Sequence, residues 1–236
     1  MSVCLPIKNT REHYELRPSK IIALGLNYRD HIRESQSVNV RGFDQNVPRE
    51  PILFPKTPNV LIGPGEPILI PSFVQEYGFE DPRVDYEAEL AIIIKDKCKN
   101  VPEKEAMEHI LGFTCMNDVS QRDLQNADRS GWFRGKSLDT FGPVGPCLVR
   151  AYDLKKPQNL DIRCRLNGKT VQESNTSHMI FSLPEIVAFV SKNFTLMPGD
   201  IIATGTPAGV GRIKSGDRVE VEIEGIGTLE NPVEDE

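Results

Sequence analysis

Eighteen prolines and eighteen glycines cut this 236-residue chain into short pieces, and that punctuation leaves little room for long helices. Proline removes a backbone donor and breaks helix interiors, and between strands it settles at edges and ends. The pieces themselves are rich in Val, Ile, Leu and Phe, which is how short strands read when turn residues bound them. The expected class is therefore α+β and β-dominated, with helices in the minority. At 39% hydrophobic residues the chain can fill one sizeable core. One main domain is expected over residues 20–236, behind a short N-terminal segment, 1–19.

Ile21–Gly25 reads as a buried strand, and Tyr28 to Ser35 as a turn or two of helix after it. Pro51-Ile-Leu-Phe-Pro55 and Pro67-Ile-Leu-Ile-Pro71 read as strands bracketed by proline. Residues 36 to 50 are polar and aperiodic, and a stretch of that length marks a lid, drawn at about 28–50. Pro102 to Leu111 reads as a helix with acids in its first turn. Another starts at Ser182, where Ser182-Leu-Pro-Glu185 has the form of a capping box. Ile201–Thr204 reads as a strand, as does Arg218–Glu224, whose alternation sets Val219, Val221 and Ile223 on one face.

A net charge of -6 argues against general affinity for nucleic acid or anionic membrane, so the expected partner is a small molecule. No stretch approaches the roughly 18 apolar residues of a membrane helix, and the first residues lack a signal-like apolar run. A cytoplasmic protein is the expectation. Its five cysteines (Cys4, Cys98, Cys115, Cys147, Cys164) are odd in number, scattered and free of Cys-x-x-Cys pairs, which fits small buried thiols.

The chemistry concentrates in Val84-Asp-Tyr-Glu-Ala-Glu-Leu-Ala-Ile-Ile-Ile94. On a strand, Asp85, Glu87 and Glu89 share one face, and the continuous apolar run from Leu90 takes the strand into a core. Carboxylates at the mouth of a core must be paired, protonated or bound to a cation. Basic neighbours in sequence are few, Arg83 and Lys95 lying beyond the ends. A solvated strand face remains open on this segment alone. A second apolar strand, Ile110 to Asp118, also ends in an acid. Three carboxylates, with no Cys or His in matching spacing, suit magnesium or manganese, with calcium as a substitute.

Six motifs give the chain a resemblance to the fumarylacetoacetate hydrolase family over roughly residues 20 to 233. They are Gly25-Leu-Asn-Tyr-Arg-Asp-His31-Ile-Arg-Glu34, Asp85-Tyr-Glu87-Ala-Glu89-Leu and Asn117-Asp118-Val-Ser-Gln-Arg122-Asp-Leu-Gln125. Then come Arg134-Gly-Lys136-Ser-Leu-Asp139, Asn175 to Phe181, and Pro198-Gly-Asp200 running on through Gly205-Thr206-Pro-Ala-Gly-Val-Gly211. The resemblance implies a mixed β-sandwich roll around a metal site, in a homodimer, acting on 2-oxo acids or their enols. It makes Glu87, Glu89 and Asp118 the metal ligands.

By the same likeness His31 and Glu34 are a catalytic dyad; their spacing alone equally fits a surface helix pair. Lys136 is placed to stabilise an enolate, Arg122 and Gln125 to hold a substrate carboxylate, and Thr206 to face the substrate. A surface lysine, a structural salt bridge and a plain loop are the respective alternatives. Residues 205–211 lack the helix and Lys-Ser/Thr pair of a phosphate loop, so no nucleotide site is expected. His178, His13, His109 and Asp85 receive no catalytic role. The expected reaction is hydrolytic carbon–carbon cleavage of the acylpyruvate type, with isomerisation of a hydroxymuconate-like diacid or oxaloacetate decarboxylation as alternatives. A silent metal-binding relative is the remaining possibility.

Overall fold

The computed structural model describes residues 2–34, 47–129 and 132–236, with backbone alone at 33 and 34. A seven-stranded mixed sheet forms its spine, from β3 (Ile21–Gly25), β4 (Ile52–Lys56), β5 (Leu61–Ile62), β8 (Ala88–Ile94), β9 (Ile110–Asn117), β11 (Gly142–Arg150) and β14 (Ile201–Ala203). The order is β4-β3-β14-β8-β9-β11-β5, with β14 parallel to β3 and β5 parallel to β11. A five-stranded sheet packs on it, ordered β13-β12-β16-β17-β6, from β6 (Ile68–Ile70), β12 (Asp161–Leu166), β13 (Lys169–Asn175), β16 (Arg218–Ile223) and β17 (Gly227–Asp235). This is the β-dominated roll that the punctuation and the resemblance predict.

The apolar run from Leu90 finds its reason at the centre of this spine. All seven residues of β8 are buried, since β14 and β9 flank it and β12 and β16 cover a face. Each fully buried Leu or Ile there contributes about 1.5–3 kcal/mol of transfer free energy, which fixes the strand's depth and thereby the position of Glu89. β16 shows the alternation read from its sequence, Val219, Val221 and Ile223 inward and the charged residues outward.

Among the described residues four α-helices serve the sheets: α1 (Arg29–Glu34), α2 (Arg122–Ala127), α3 (Phe133–Lys136) and α4 (Leu183–Asn193). The capping box at α4 is formed, with Ser182 Oγ accepting from the Glu185 amide and the Glu185 carboxylate accepting from the Ser182 amide at 2.7 Å. The helix expected over 102–111 is instead a 3-10 helix, Glu103–His109, because Ile110 leaves it to pair with Ile94 in the sheet. None of the described helices is long and apolar enough to cross a membrane.

The N-terminal segment folds as a hairpin of β1 (Val3–Pro6) and β2 (His13–Leu16), with Leu5 and Leu16 fully buried in the common core. Cys4 corrects the expectation of buried thiols: it points outward from β1, on the opposite face from Val3 and Leu5. Cys98, Cys115 and Cys164 are buried, and Cys147 is half-buried.

Asp200 anchors this segment to the sheet. Its fully buried carboxylate accepts from the Ser19 amide and hydroxyl (2.9 and 2.7 Å), the Lys20 amide (3.1 Å) and the Met197 amide (2.8 Å), and pairs with the Lys20 ammonium. Replacing Asp200 by alanine strands four donors and a cation, and should lower unfolding free energy by about 3 kcal/mol or more. A urea midpoint equal to the parent's would contradict that.

Candidate metal centre

The site forms where the spine breaks. Val84 to Ile94 is expected as one strand, but the chain divides at Glu87. Residues Val84–Tyr86 form β7, in a three-stranded sheet with β10 (Ser120–Gln121) and β15 (Gly211–Ile213), while Ala88 opens β8. The break is held from the next strand's end: the Glu87 amide donates to Asn117 Oδ1 at 2.8 Å, and the Asp118 amide donates to the Glu87 carbonyl at 2.9 Å. Asp85 is thereby separated from its neighbours and pairs with Arg83 (2.6 Å) and Arg122 (2.8 Å).

Glu87, Glu89 and Asp118 come together, one carboxylate oxygen of each lying within 4.8 Å of the others, and all three are buried. Contrary to the sparse basic neighbours of the sequence, cations reach them from distant segments. Lys136 Nζ, on α3, donates to Glu87 Oε2 at 2.8 Å and Asp118 Oδ2 at 2.7 Å. Lys56 Nζ, at the end of β4, donates to Asp118 Oδ1 at 2.6 Å. Arg122 donates through Nη2 to Glu87 Oε1 and through Nη1 to Gln125 Oε1 at 2.9 Å.

These contacts set the ionisation states. Burial alone would raise the Glu87 carboxyl, but Lys136, Arg122 and His31 outweigh it and hold it far below the carboxylate range. Glu89 goes the other way: burial, then the charges of Asp118 and Glu87, push it well up, against the pull of Lys136 and the Gly205 amide. Burial lowers the Lys56 ammonium even against Asp118, whereas for Lys136 the attraction of Asp118 and Glu87 exceeds the burial cost and raises it.

Glu89 supplies the fit test for an ion. Its Oε2 accepts from the Gly205 amide at 2.8 Å, but its Oε1 is buried with no hydrogen-bond partner among the described residues. An orphaned carboxylate oxygen facing two further carboxylates is a donor set of hard oxygens, which suits a magnesium- or manganese-class ion.

The other predicted residues converge on a cavity above this trio. His31, Glu87, Arg122, Gln125, Lys136 and Thr206 line it, with Phe54 and Trp132 on the apolar side. Its volume is about 20 Å³, room for one water or ion and too small for a keto acid. His31 is 6% exposed on α1. The Glu34 side chain lies outside the described residues, as does most of the lid, 35–46. Arg122, expected on a substrate carboxylate, here spends its guanidinium on Asp85, Glu87 and Gln125.

Two residues here were missed in the sequence. Lys56 closes a proline-bracketed strand with no motif to mark it. Gln172 accepts from the Ala88 amide at 3.0 Å and donates to Thr206 Oγ1 at 2.9 Å and the Pro207 carbonyl at 2.8 Å, tying the start of β8 to the 205–207 loop. Leu26, between β3 and α1, is buried at φ 56°, a left-handed conformation costly for a branched residue. Asn27 holds it there, donating to the Thr204 carbonyl at 2.8 Å and accepting from the Phe181 amide at 2.9 Å. His178 stands apart, with Nδ1 3.3 Å from Ser174 Oγ.

Residues 20–234 match the family described as fumarylacetoacetate (FAA) hydrolase C-terminal. The mitochondrial oxaloacetate tautomerase of Xenopus laevis is 44% identical over 241 residues, covering 99% of this chain and 68% of that one. The crystal structure of a 2-hydroxyhepta-2,4-diene-1,7-dioate isomerase from Mycobacterium marinum is 40% identical with a TM-score of 0.80, over 95% of this chain and 79% of that one. The fumarylpyruvate hydrolase of Pseudomonas aeruginosa, solved with Mn2+ and pyruvate, is 30% identical with a TM-score of 0.85, over 100% and 97%.

Proposed function

Because this chain belongs to the fumarylacetoacetate hydrolase family, we propose that it is a divalent-metal enzyme working through the enol of a small 2-oxo acid, and that keto–enol isomerisation is its reaction. The observation that carries the metal is the convergence of Glu87, Glu89 and Asp118 around the unpartnered Glu89 oxygen. The preference for isomerisation over the cleavage expected from the sequence rests on likeness: the tautomerase and the isomerase are 44% and 40% identical, the hydrolase 30%.

Glu87, Glu89 and Asp118 would hold the ion, which when bound supplies Lewis-acid polarisation of a keto acid's carboxylate and carbonyl oxygens. Charge counting supports a dianionic partner. By formal charge, His31 aside and with a bound ion displacing the proton that burial favours on Glu89, the four carboxylates of Asp85, Glu87, Glu89 and Asp118 are matched by the four cations of Arg83, Lys56, Arg122 and Lys136. Adding a divalent ion leaves a surplus of two positive charges, which the carboxylate and enolate of one substrate neutralise. Lys136 then carries a fixed positive charge where the enolate oxygen develops. Gln125 and Thr206 would orient, from the cavity wall, a substrate whose entry widens this cavity, and His31 would move the proton at the reacting carbon.

Hydrolytic carbon–carbon cleavage is the second reading, favoured by His31 lining a cavity of the size of one water. The two are separated by assay with magnesium or manganese. Loss of enol-oxaloacetate absorbance should accelerate by at least about 10²-fold and return to the spontaneous rate with a chelator. An acylpyruvate cleaved faster than any enol is isomerised would establish the second reading, and silence on both substrates would overturn the proposal. If cleavage is found, His31→Ala should abolish it while leaving ion-dependent stabilisation intact.

A further inference from the structure

Three side chains of different chemistry meet at the far end of β8. Asp96 and Cys98 lie just beyond Ile94, His109 closes the 3-10 helix Glu103–His109, and one ligand atom from each lies within 4.8 Å of the others. His109 Nδ1 is 2.6 Å from Asp96 Oδ1. The backbone holds both arms of this cluster. The Lys95 amide donates to the His109 carbonyl at 2.9 Å, Lys95 Nζ to the Glu108 carbonyl at 3.3 Å, and Cys98 exchanges two bonds with Leu196, at 3.1 and 2.9 Å. Cys98 is buried, while Asp96 and His109 are half-exposed and leave the cluster open to solvent.

We propose that Asp96, Cys98 and His109 form a second metal site, one for a zinc-class transition ion. Thiolate and imidazole are ligands that magnesium refuses and zinc or cobalt prefers, so the two sites of this chain would sort ions by donor chemistry. Ligand atoms around one tetrahedral zinc lie about 3.2–3.8 Å apart, given bonds of about 2.0–2.3 Å. The present set brackets that spacing, with His109 Nδ1 and Asp96 Oδ1 at 2.6 Å and one ligand atom of each of the three residues within 4.8 Å of the others. Three protein ligands leave the fourth position to water.

The cluster also resembles a nucleophilic Cys-His-Asp array, but burial, then Asp96 and Asp200, push the Cys98 thiol up, away from a standing thiolate. Nor is the site an extension of the carboxylate centre. Glu89 and Ile94 alone are separated by about 16 Å along the strand, at about 3.3 Å per residue. The ion would clasp the loop after β8 to the 3-10 helix that packs on α4, so its effect falls on stability.

The test uses the full chain with magnesium saturating. Added cobalt(II) should bind at one equivalent with a near-ultraviolet thiolate-to-cobalt charge-transfer band, and zinc should raise Tm. Cys98→Ser should abolish the band while sparing magnesium-dependent stabilisation, and His109→Ala and Asp96→Asn should each weaken zinc by about tenfold or more. A parent protein without the band overturns the proposal, as does a band that survives in Cys98→Ser, which would assign it to another thiol such as exposed Cys4. Should Cys98→Ser fail to fold, the His109 and Asp96 variants decide: parental cobalt affinity in both refutes the site.

Discussion

Asp118→Ala should cost the fold about 3–5 kcal/mol and remove its affinity for a divalent ion in the same step. The carboxylate is fully buried and accepts from Lys56 at 2.6 Å and Lys136 at 2.7 Å, so its loss leaves Lys56, among the described residues, with the Val119 carbonyl at 3.3 Å as its hydrogen-bond partner. A buried ammonium without a counter-ion is the costly case, far more than the net worth of the pair it came from. The two losses separate in a double variant. Adding Lys56→Met removes the stranded charge and should recover most of the urea midpoint, while magnesium-dependent stabilisation stays absent. An Asp118→Ala protein as stable as the parent, or one with the parental magnesium response, would remove Asp118 from both roles.

Lys136→Met carries the second large effect, with opposite signs on binding and turnover. The ammonium occupies Glu87 Oε2 and Asp118 Oδ2, on two of the carboxylates that would hold the ion. A unit charge and a divalent one about 4 Å apart at an effective dielectric constant of about 20 repel by about 8 kcal/mol before screening and relaxation, so deleting Lys136 should tighten magnesium or manganese by at least about tenfold. Turnover should fall by about 10²–10³-fold, the usual cost of losing one fixed donor to a developing oxyanion. Manganese titration and steady-state rates check the two halves. Weakened ion binding would show instead that Lys136 is needed to hold the carboxylates in place.

The sequence made the inward course of β8 readable because a run of Leu, Ala and three Ile admits no solvated face. It made α4 readable because a capping box is a local device, complete within Ser182 to Glu185. The break at Glu87 was not readable, since alternation continues through it; the force that bends the chain comes from Asn117 and Asp118 on another strand. For the same reason the acidic face seemed short of cations: Lys56, Arg122 and Lys136 are far away in sequence, and only the sheet order brings them in. Asp96, Cys98 and His109 escaped a search for metal spacing because the 3-10 helix, taken from the sequence for an ordinary helix, sets where His109 returns to β8.

The place of β14 governs when this centre can come into being. Residues 201–203 enter the sheet between β3 and β8, strands that precede them by more than a hundred residues of chain. The Gly205 amide that fixes Glu89 follows directly behind. A nascent chain that has emerged only as far as β11 therefore holds the acids of the trio but not the sheet that aims them. Closure must await the late strand, and such long-range pairing is intrinsically slow. Refolding should accordingly show ion-dependent protection of Glu89 and its neighbours as a late event, in step with burial of β14 rather than with the early hairpins.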